Sequence, residues 1–392
     1  MTISFSGRVP SERQPNELTT ELAALRATGA SVLDLTLSNP TRAGLIYPDR
    51  LLQPLAAPEG LRYDPSPFGL HQARSAVAAD FARRGLNVPP PRIVLTASTS
   101  EAYAVLFKLL CDPGDRVLIP RPSYPLFEYL SRLDGVVASP YELEYHGVWT
   151  MDVGALERAI TDRTRAVLVV APNNPTGSFL RQGDLDDLVD LCASRGLAIV
   201  GDEVFADYPL DPDPSRAISV LTQDRALTFG LGGLSKSVGL PQLKLAWIGV
   251  SGPATIVEEA LARLEIICDT YLSVATPVQH AAAALLSTGA IVREQIRDRV
   301  LANYASLHAL AAVHPACRVL RAEGGWYAVV QVPATRGEDA IVLEVLRRQH
   351  VLVHPGYFFD FPREAFLVLS LLPPPDLFAQ AAARLLSETD SR

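Results

Sequence analysis

A lysine in a turn of small residues is the first feature of this sequence that indicates chemistry. Lys236 follows Gly-Gly-Leu-Ser and precedes a Gly-Leu-Pro loop and a second lysine, Lys244. Because its neighbours are small, packing does not explain the presence of this lysine. The residues around it also form no evident solvated face of a helix. An amine in such a setting can bond covalently to a carbonyl as a Schiff base, which needs room around it. A lysine in a glycine-rich loop can equally bind phosphate or lie at the surface, so the turn alone leaves these functions open.

Polar side chains also follow several apolar segments that have the composition of buried strands. The segments and their polar residues are 92–96 with Ser98, Thr99 and Ser100; 166–170 with Asn174; 197–200 with Asp202; and 226–229 with Lys236. Strands rich in Val, Ile and Leu that alternate with helices predict a parallel sheet covered by helices on both faces. Ligands bind beyond the carboxyl ends of the strands in such sheets. We therefore expect these polar residues to converge on one site.

The Ser/Thr turn after 92–96 has the features of an anion site. Ser98 and Glu101 fit a capping box at the start of a helical segment. Free N–H groups and the helix dipole both favour an anion at such a helix start. An ordinary helix cap needs the same residues and is the alternative. The loop from Ser38 to Arg42, which includes Asn39, also follows an apolar segment and is either functional or a simple turn.

The composition indicates which classes of partner and which cellular compartment to expect. The chain has 392 residues, 48% of them hydrophobic, and a formal net charge of −8. An acidic chain is a poor partner for nucleic acid, because phosphate backbones bind basic surfaces. The sequence has no apolar run that would span a bilayer and no pattern of a secretory signal. Its four cysteines are far apart, which favours reduced thiols over a metal site or disulfides. These features predict a cytoplasmic protein without a membrane, nucleic-acid or metal partner.

The length and the element pattern predict two domains. After the predicted sheet come a helical stretch over 279–313, a helix over 338–349, and strands over 324–332, 351–354 and 366–370. Mixed helices and strands there indicate a smaller α/β domain that the N-terminal segment joins. We expect 49–277 to form the large domain, and 1–48 with 278–392 to form the small one.

The motifs together resemble the class I/II aminotransferases of pyridoxal-phosphate fold type I, the aspartate-aminotransferase-like superfamily. The resemblance rests on Asn174-Pro-Thr-Gly, Asp202-Glu-Val-Phe and Ser235-Lys236 with Lys244, separated by 28, 34 and 8 residues, and it extends from Tyr63 to Ser370. It implies an α/β fold with a large, mostly parallel sheet between helices and a smaller α/β domain. It also implies pyridoxal 5'-phosphate as the cofactor.

The resemblance assigns a role to each matching residue. It makes Lys236 the catalytic Schiff-base lysine, which then moves the substrate proton, and Asp202 the partner of the pyridine nitrogen. It makes Asn174 the donor to the ring hydroxyl, which also seats the substrate carboxylate, and Tyr124 the aromatic that stacks on the ring. The phosphate ligands that it implies are Ser98, Thr99, Ser100, Ser235 and Lys244.

Two loops would complete the site by the same resemblance. In the family, a tyrosine at the position of Tyr63 reaches the cofactor phosphate of the neighbouring subunit. The resemblance therefore implies a homodimer with sites at the interface. The alternative is that Tyr63 only packs against its neighbours. Asn39 and Arg42 lie in the loop that borders the substrate in the family.

Three positions depart from the family pattern. Phe205 stands where a tyrosine is usual, and phenylalanine cannot donate to the ring oxygen. The Schiff base should therefore keep its proton to higher pH than in relatives with tyrosine. Lys244 replaces an arginine and provides a point charge without a bidentate grip. Val368 occupies the place of the arginine that grips the substrate carboxylate. Arg363 and Arg42 are candidate substitutes, and exposed charges without that role are the alternative.

The main functional hypothesis is transfer of an amino group between an amino donor and a 2-oxo acid. The valine at 368 motivates an alternative, another pyridoxal-phosphate reaction such as β-elimination or decarboxylation of a modified amino acid. A third hypothesis is a non-catalytic sensor that keeps the fold; the presence of both Lys236 and Asp202 makes it the least favoured of the three.

Overall fold

The computed structural model describes residues 3–11 and 14–390 as an α/β protein. The strands are β1 (Leu33–Asp34), β2 (Ile93–Thr96), β3 (Arg116–Arg121), β4 (Val137–Tyr145), β5 (Trp149–Met151), β6 (Thr164–Val170), β7 (Ala198–Asp202), β8 (Thr228–Gly233), β9 (Ala246–Ser251), β10 (Arg318–Val319), β11 (Tyr327–Gln331), β12 (Val351–Leu352), β13 (His354–Pro355) and β14 (Phe366–Ser370). The helices are α1 (Glu17–Ala27), α2 (His71–Arg83), α3 (Thr99–Leu110), α4 (Leu126–Leu133), α5 (Val153–Ala159), α6 (Gln182–Arg195), α7 (Leu234–Ser237), α8 (Ala254–Tyr271), α9 (Thr276–Thr288), α10 (Ala290–Ala311), α11 (Glu338–Gln349) and α12 (Pro375–Asp390). None of these helices is long and apolar enough to cross a membrane.

The large sheet has eight strands in the order β2-β9-β8-β7-β6-β3-β4-β5. The run from β8 through β7, β6 and β3 to β4 is parallel, as the alternation of strands and helices predicts. Strand β9 is antiparallel to both of its neighbours. A parallel crossover normally needs a full helix, and the connection before β9 contains only the four-residue α7 and the 3-10 helix Pro241–Leu243. The sheet is therefore mostly, and not entirely, parallel.

Helices cover both faces of this sheet, as predicted. Successive residues of a strand point to opposite faces. In β6, Val167 and Val169 join one core with residues of α2, α6 and α9, whereas Ala166, Leu168 and Val170 join a second core with residues of α3, α4 and α8. Both sets are buried. The carboxyl ends of the strands are thus left as the open edge where polar residues can meet.

Strand β8 runs further than its sequence predicts and carries the backbone directly to Lys236. The apolar pattern predicts a strand over 226–229, but the strand continues through Gly232 and Gly233. A Cβ atom on Gly232 would lie 2.4 Å from Nε1 of Trp247 in the neighbouring β9. Glycine here makes room for the tryptophan, so these glycines belong to the sheet and not to a turn.

A second, antiparallel sheet in the order β10-β11-β14-β13 stands beside the large one, and β1 pairs with β12. Helices α10, α11 and α12 pack on a core that this sheet shares with the N-terminal segment. The apolar segments 32–37 and 351–354 are shorter as strands than their composition predicts. The first forms only β1, and the second is divided into β12 and β13 at Val353. The division of the chain at residues 49 and 277 stays a prediction.

The contact between Gly232 and Trp247 predicts a large difference between two glycine substitutions. Gly232→Ala should lower the free energy of unfolding in urea by about 1–3 kcal/mol, because the added methyl group overpacks the sheet. Gly183→Ala is the control, since a Cβ atom there meets nothing within 4 Å and the residue is in helix α6. Alanine favours a helix over glycine by up to about 1 kcal/mol, so the control should match or exceed the native chain. Equal stability of the two variants would contradict this packing.

Candidate functional site

A cavity of about 250 Å³ lies at the carboxyl ends of the parallel strands, between the two sheets. Nine of the residues that the sequence predicts for the site line it: Ser98, Thr99, Ser100, Tyr124, Asn174, Asp202, Phe205, Ser235 and Lys236. Five more lining residues are Ser38, Phe127, Val170, Val204 and Tyr327. The expected convergence of strand-end residues is therefore present in the fold.

Lys236 sits in the short helix α7 directly after β8, with its side chain turned to the cavity. Its Nζ lies 5.1 Å from the centroid of the Trp326 ring and 5.7 Å from that of Phe205. Burial lowers the pKa of the lysine, and the charge of Asp202 opposes this shift. The hydroxyl of Tyr208 donates to the carbonyl oxygen of Lys236 and fixes the backbone. The site thus presents an amine that loses its proton more readily than a surface lysine, which suits a nucleophile.

Asp202 ends β7 and is the carboxylate of the cavity. The Tyr103 hydroxyl donates to its Oδ2 at 3.0 Å, and the Val204 N–H donates to its Oδ1 at 3.2 Å. Burial raises the pKa of Asp202 to about 6, and both hydrogen bonds and the charge of Lys236 act in the opposite direction. At neutral pH the carboxylate is therefore ionised, oriented by two donors, and able to hold a proton on a nearby base.

The start of α3 forms the anion-binding end of the cavity. Ser98 caps the helix by accepting the Glu101 N–H at 3.1 Å, as predicted. The Glu101 carboxylate accepts the N–H of Ala97, one residue before the position expected in a capping box. Thr99 and Ser100 line the cavity, and N–H groups in the first turn of a helix lack intrahelical acceptors. Together with the helix dipole they favour an anion such as phosphate.

Asn174 provides a buried polar group with a free bonding position. It follows β6, is 6% exposed, and its Oδ1 has no hydrogen-bond partner among the described residues. The neighbouring Asn173 is instead bonded to the Pro122 carbonyl and to Thr176. A buried amide without a partner is costly unless a ligand completes it. The cavity thus combines an amine, an ionised carboxylate, an amide and an anion site, which together match the aldehyde, ring nitrogen, ring hydroxyl and phosphate of pyridoxal 5'-phosphate.

Four of the predicted site residues do not line this cavity. Tyr63 is 75% exposed and borders a separate cleft with Ser66 and Leu272. Lys244 is exposed, at a φ of 51°. Arg42 is exposed, and the Asn39 side chain caps the 3-10 helix Pro40–Arg42. Their roles stay predictions.

The positions of Val368 and Arg363 bear on which residue binds the substrate carboxylate. Val368 is fully buried in β14, and the register with β11 places it on the sheet face that also carries Tyr327. Arg363 lines a different cavity, of about 630 Å³, together with Glu142 and Trp149. Neither residue provides a charge in the cavity around Lys236.

Sequence reasoning missed Ser38, Tyr327 and Tyr103. Ser38 directly precedes Asn39 in a loop that the sequence did single out. Tyr327 follows Gly324-Gly325, and a Cβ on Gly324 would lie 2.6 Å from the Phe179 ring, so the glycine pair marks close packing beside the site. Tyr103 is on the first turns of α3, where nothing in the sequence connects it with Asp202.

The fold and the site define a fold type I enzyme of the pyridoxal-phosphate class. The family model described as "Aminotransferase class I and II" matches residues 50–385. The chain therefore belongs to the class I and II aminotransferases, and its cofactor is pyridoxal 5'-phosphate.

Individual relatives agree with this assignment. The chain is 27% identical over 379 residues to the glutamate-pyruvate aminotransferase AlaA of Escherichia coli, covering 94% of this chain and 93% of that protein. It is 28% identical over 384 residues to an alanine aminotransferase of Mycobacterium tuberculosis, covering 93% and 86%. An alanine aminotransferase structure from Pyrococcus furiosus matches the fold with a TM-score of 0.87 over 96% of each chain, at 24% identity.

These comparisons support the main hypothesis over its alternatives. The protein is an aminotransferase that moves an amino group between an amino donor and a 2-oxo acid. They do not support the elimination or decarboxylation that Val368 motivated, and an enzyme of this class is not a non-catalytic sensor.

The Tyr103–Asp202 contact predicts a pH effect on cofactor binding. Affinity of the apoenzyme for the cofactor should fall as the pH drops through about 6, because Asp202 takes up a proton and no longer pairs with a pyridinium. Tyr103→Phe removes a donor that favours the ionised carboxylate, so the midpoint should move to higher pH. Affinity just above the native midpoint should fall about tenfold. Equilibrium binding followed by absorbance measures both effects.

A matched variant separates this effect from general damage. Tyr141 is also buried, and its hydroxyl donates to the Leu168 carbonyl at 2.9 Å, away from Asp202. Tyr141→Phe should leave the midpoint unchanged. The cofactor phosphate itself titrates near pH ~6, so only the shift between variants is diagnostic. The same midpoint in the Tyr103 and Tyr141 variants would contradict the role of Tyr103.

Proposed function

We propose that this aminotransferase acts on amino acids and 2-oxo acids with uncharged side chains, and that alanine with pyruvate, its own 2-oxo acid, is the simplest pair for one half-reaction. The observation that carries the proposal is the charge of the cavity lining. Lys236 is its one cationic side chain among the described residues, Asp202 is its one carboxylate, and the remaining walls are aromatic, aliphatic or neutral polar. A second carboxylate on the substrate would be desolvated there without a cation to offset the cost. The printed name of the Mycobacterium tuberculosis relative includes alanine, and that of the Escherichia coli relative includes pyruvate, both of this class. The Escherichia coli name also includes glutamate, which has a second carboxylate, so the preference of this chain must be measured directly.

The chain's own groups would divide the work as follows. Pyridoxal 5'-phosphate, when bound, supplies an electron sink for the carbon that carries the amino group. Lys236 supplies the amine that holds the cofactor and, once freed, the base that moves the substrate proton. Asp202 holds the proton of the pyridine nitrogen, and Asn174 donates its amide to the ring hydroxyl. Tyr124 stacks on the ring, edge-on to Phe127 with centroids 6.4 Å apart.

The phosphate would lie at the start of α3, with Ser98, Thr99, Ser100 and Ser235 as neutral ligands. Lys244 would add a positive charge from the loop after α7. Arg42 and Asn39 would border the entrance from the N-terminal loop. The Phe205 ring forms part of the cavity wall but carries no hydroxyl. The hydrogen-bond donor that is usual at this position in the family is therefore absent here.

The substrate class predicts a clear preference among amino acceptors. Starting from enzyme loaded with amino groups by alanine, kcat/KM for pyruvate should exceed that for 2-oxoglutarate at least about tenfold, because the second carboxylate of 2-oxoglutarate finds no cation. The measurement is stopped-flow absorbance of each half-reaction. A preference for 2-oxoglutarate would refute the proposal while leaving the aminotransferase activity intact.

We also propose a homodimer in which Tyr63 serves the site of the neighbouring subunit. Tyr63 and the nearby Leu61 are exposed, at 75% and 92%. Leu272 lines the same cleft as Tyr63, and the adjacent Tyr271 is 56% exposed. Exposed large apolar side chains beside one cleft are compatible with a protein interface.

Mixed dimers test this role of Tyr63. Lys236→Ala and Tyr63→Ala variants, each inactive or weak alone, are unfolded together and refolded. If Tyr63 acts across the interface, each mixed dimer regains one intact site, and activity should return to about a quarter of the native value. If Tyr63 acts within its own subunit, mixed dimers have no intact site and the mixture stays as inactive as its parents. A monomer in sedimentation analysis would also contradict the proposal.

A cytoplasmic location belongs to the same proposal. The four cysteines are all free thiols in the structure, and Cys192, Cys268 and Cys317 are buried. Free thiols are usual in proteins of reducing compartments.

A further inference from the structure

The cavity around Lys236 has two walls of different character. The wall formed by the large sheet carries the ionisable and amide groups, Asn174, Asp202 and Lys236. The opposite wall is formed by β11 and the N-terminal loop. Its polar side chains are two hydroxyls, those of Ser38 and Tyr327. A substrate between the walls has its reacting carbon towards Lys236, so the remainder of the molecule faces these hydroxyls.

Backbone contacts hold the two hydroxyls together. Tyr327 begins β11 and pairs with Ser370 of β14. The N–H of Ser370 donates to the Leu35 carbonyl at 2.7 Å, and its hydroxyl donates to the Leu37 carbonyl at 2.6 Å. The residue before Ser38 is thus tied to the strand beside Tyr327. Both side chains line the cavity, and Ser38 lowers the pKa of the Tyr327 hydroxyl against the larger effect of burial.

The Tyr327 ring is fixed by aromatic neighbours. Its centroid lies 6.2 Å from that of Phe205 at an interplanar angle of 90°, and 6.3 Å from that of Phe359. The residue is 9% exposed, and burial raises the pKa of its hydroxyl to about 12. The hydroxyl therefore keeps its proton at neutral pH and remains a donor.

A 2-oxo acid or an amino acid brings a carboxylate next to its reacting carbon, and that anion needs donors when it leaves water. Each hydroxyl has one O–H, and both can turn towards a shared anion. Hydrogen bonds to an ionised acceptor are about twice as strong as neutral ones. We propose that the hydroxyls of Ser38 and Tyr327 bind the α-carboxylate of the substrate, in place of a guanidinium. This rests on the proposed function, because it requires a substrate with a carboxylate beside the amino-bearing carbon.

The competing role for Tyr327 is that of the donor missing at Phe205, directed to the cofactor ring. The geometry favours the substrate role. The Tyr327 ring stands perpendicular to Phe205, and the hydroxyl shares its wall of the cavity with Ser38, which belongs to the N-terminal loop and not to the large sheet. The two roles affect different observables, so one set of variants separates them.

The experiment compares Tyr327→Phe and Ser38→Ala in the cofactor-loaded enzyme. For each, KM is measured for pyruvate and for propanal, an aldehyde of three carbons that has no carboxylate. Binding of propanoate, a carboxylate that cannot react, is measured by calorimetry. We expect KM for pyruvate and Kd for propanoate to rise on the order of tenfold to a hundredfold in Tyr327→Phe, with kcat/KM for propanal unchanged.

Two controls fix the interpretation. Tyr357→Phe removes a tyrosine hydroxyl outside the cavity, one that donates to Asp339 at 2.7 Å, and should match the native enzyme. Ser38→Thr keeps a hydroxyl and should restore most of the propanoate affinity that Ser38→Ala loses. This second position keeps the proposal testable if Tyr327→Phe does not fold.

Three results would overturn the proposal. One is an unchanged KM for pyruvate in Tyr327→Phe and Ser38→Ala. Another is an equal loss for pyruvate and propanal, which indicates general damage to the site. The third is a change only in the pH dependence of the visible absorption band, which assigns the Tyr327 hydroxyl to the cofactor. If the native enzyme prefers 2-oxoglutarate, the proposed substrate class fails, and the same variants measured with 2-oxoglutarate still decide where the α-carboxylate binds.

Discussion

Lys236 and Asp202 are partly buried at the ends of adjacent strands, and the rest of the site depends on which of these groups carries a charge. Burial lowers the pKa of the lysine and raises that of the aspartate to about 6, whereas each residue's charge favours the charged form of the other. Donors from Tyr103 and Val204 keep Asp202 ionised at neutral pH. The protein thus keeps a reactive amine and a fixed carboxylate in one cavity, which is what an amino-transfer cofactor with a pyridine ring requires.

A second constraint keeps the two walls of the cavity in place. Glu323, 1% exposed and just before β11, forms ion pairs with Arg181 and Arg216 from the large-sheet region. Its backbone N–H donates to the Gly177 carbonyl at 3.1 Å, in the turn that carries Asn174. Removal of both arginines would leave the buried Glu323 charge without these ion pairs, which is strongly destabilising. The segment before β11 and the turn that carries Asn174 are therefore joined at Glu323.

The sequence predicts the part of the site that follows from local rules. Apolar strands that end in polar residues predict the convergence of Ser98, Asn174, Asp202 and Lys236, since parallel strands share one open edge. The sequence does not predict the antiparallel direction of β9, because that direction depends on the short helices in the connection between β8 and β9. Tyr103 and Tyr327 escape it because their roles arise from tertiary packing. Tyr327 lines the cavity and the Tyr103 hydroxyl reaches Asp202 only once residues far apart in the chain have packed together, and no local pattern predicts this.

The most direct measurement of the central claim identifies the lysine that bonds to the cofactor. The chain has only three lysines, Lys108, Lys236 and Lys244. Reduction of the loaded enzyme with borohydride fixes a lysine–cofactor Schiff base, and peptide mass spectrometry then locates the added mass. We expect the mass on Lys236 alone, because the other two lysines lie outside the cavity. The mass on Lys108 or Lys244, with Lys236 unmodified, would contradict it.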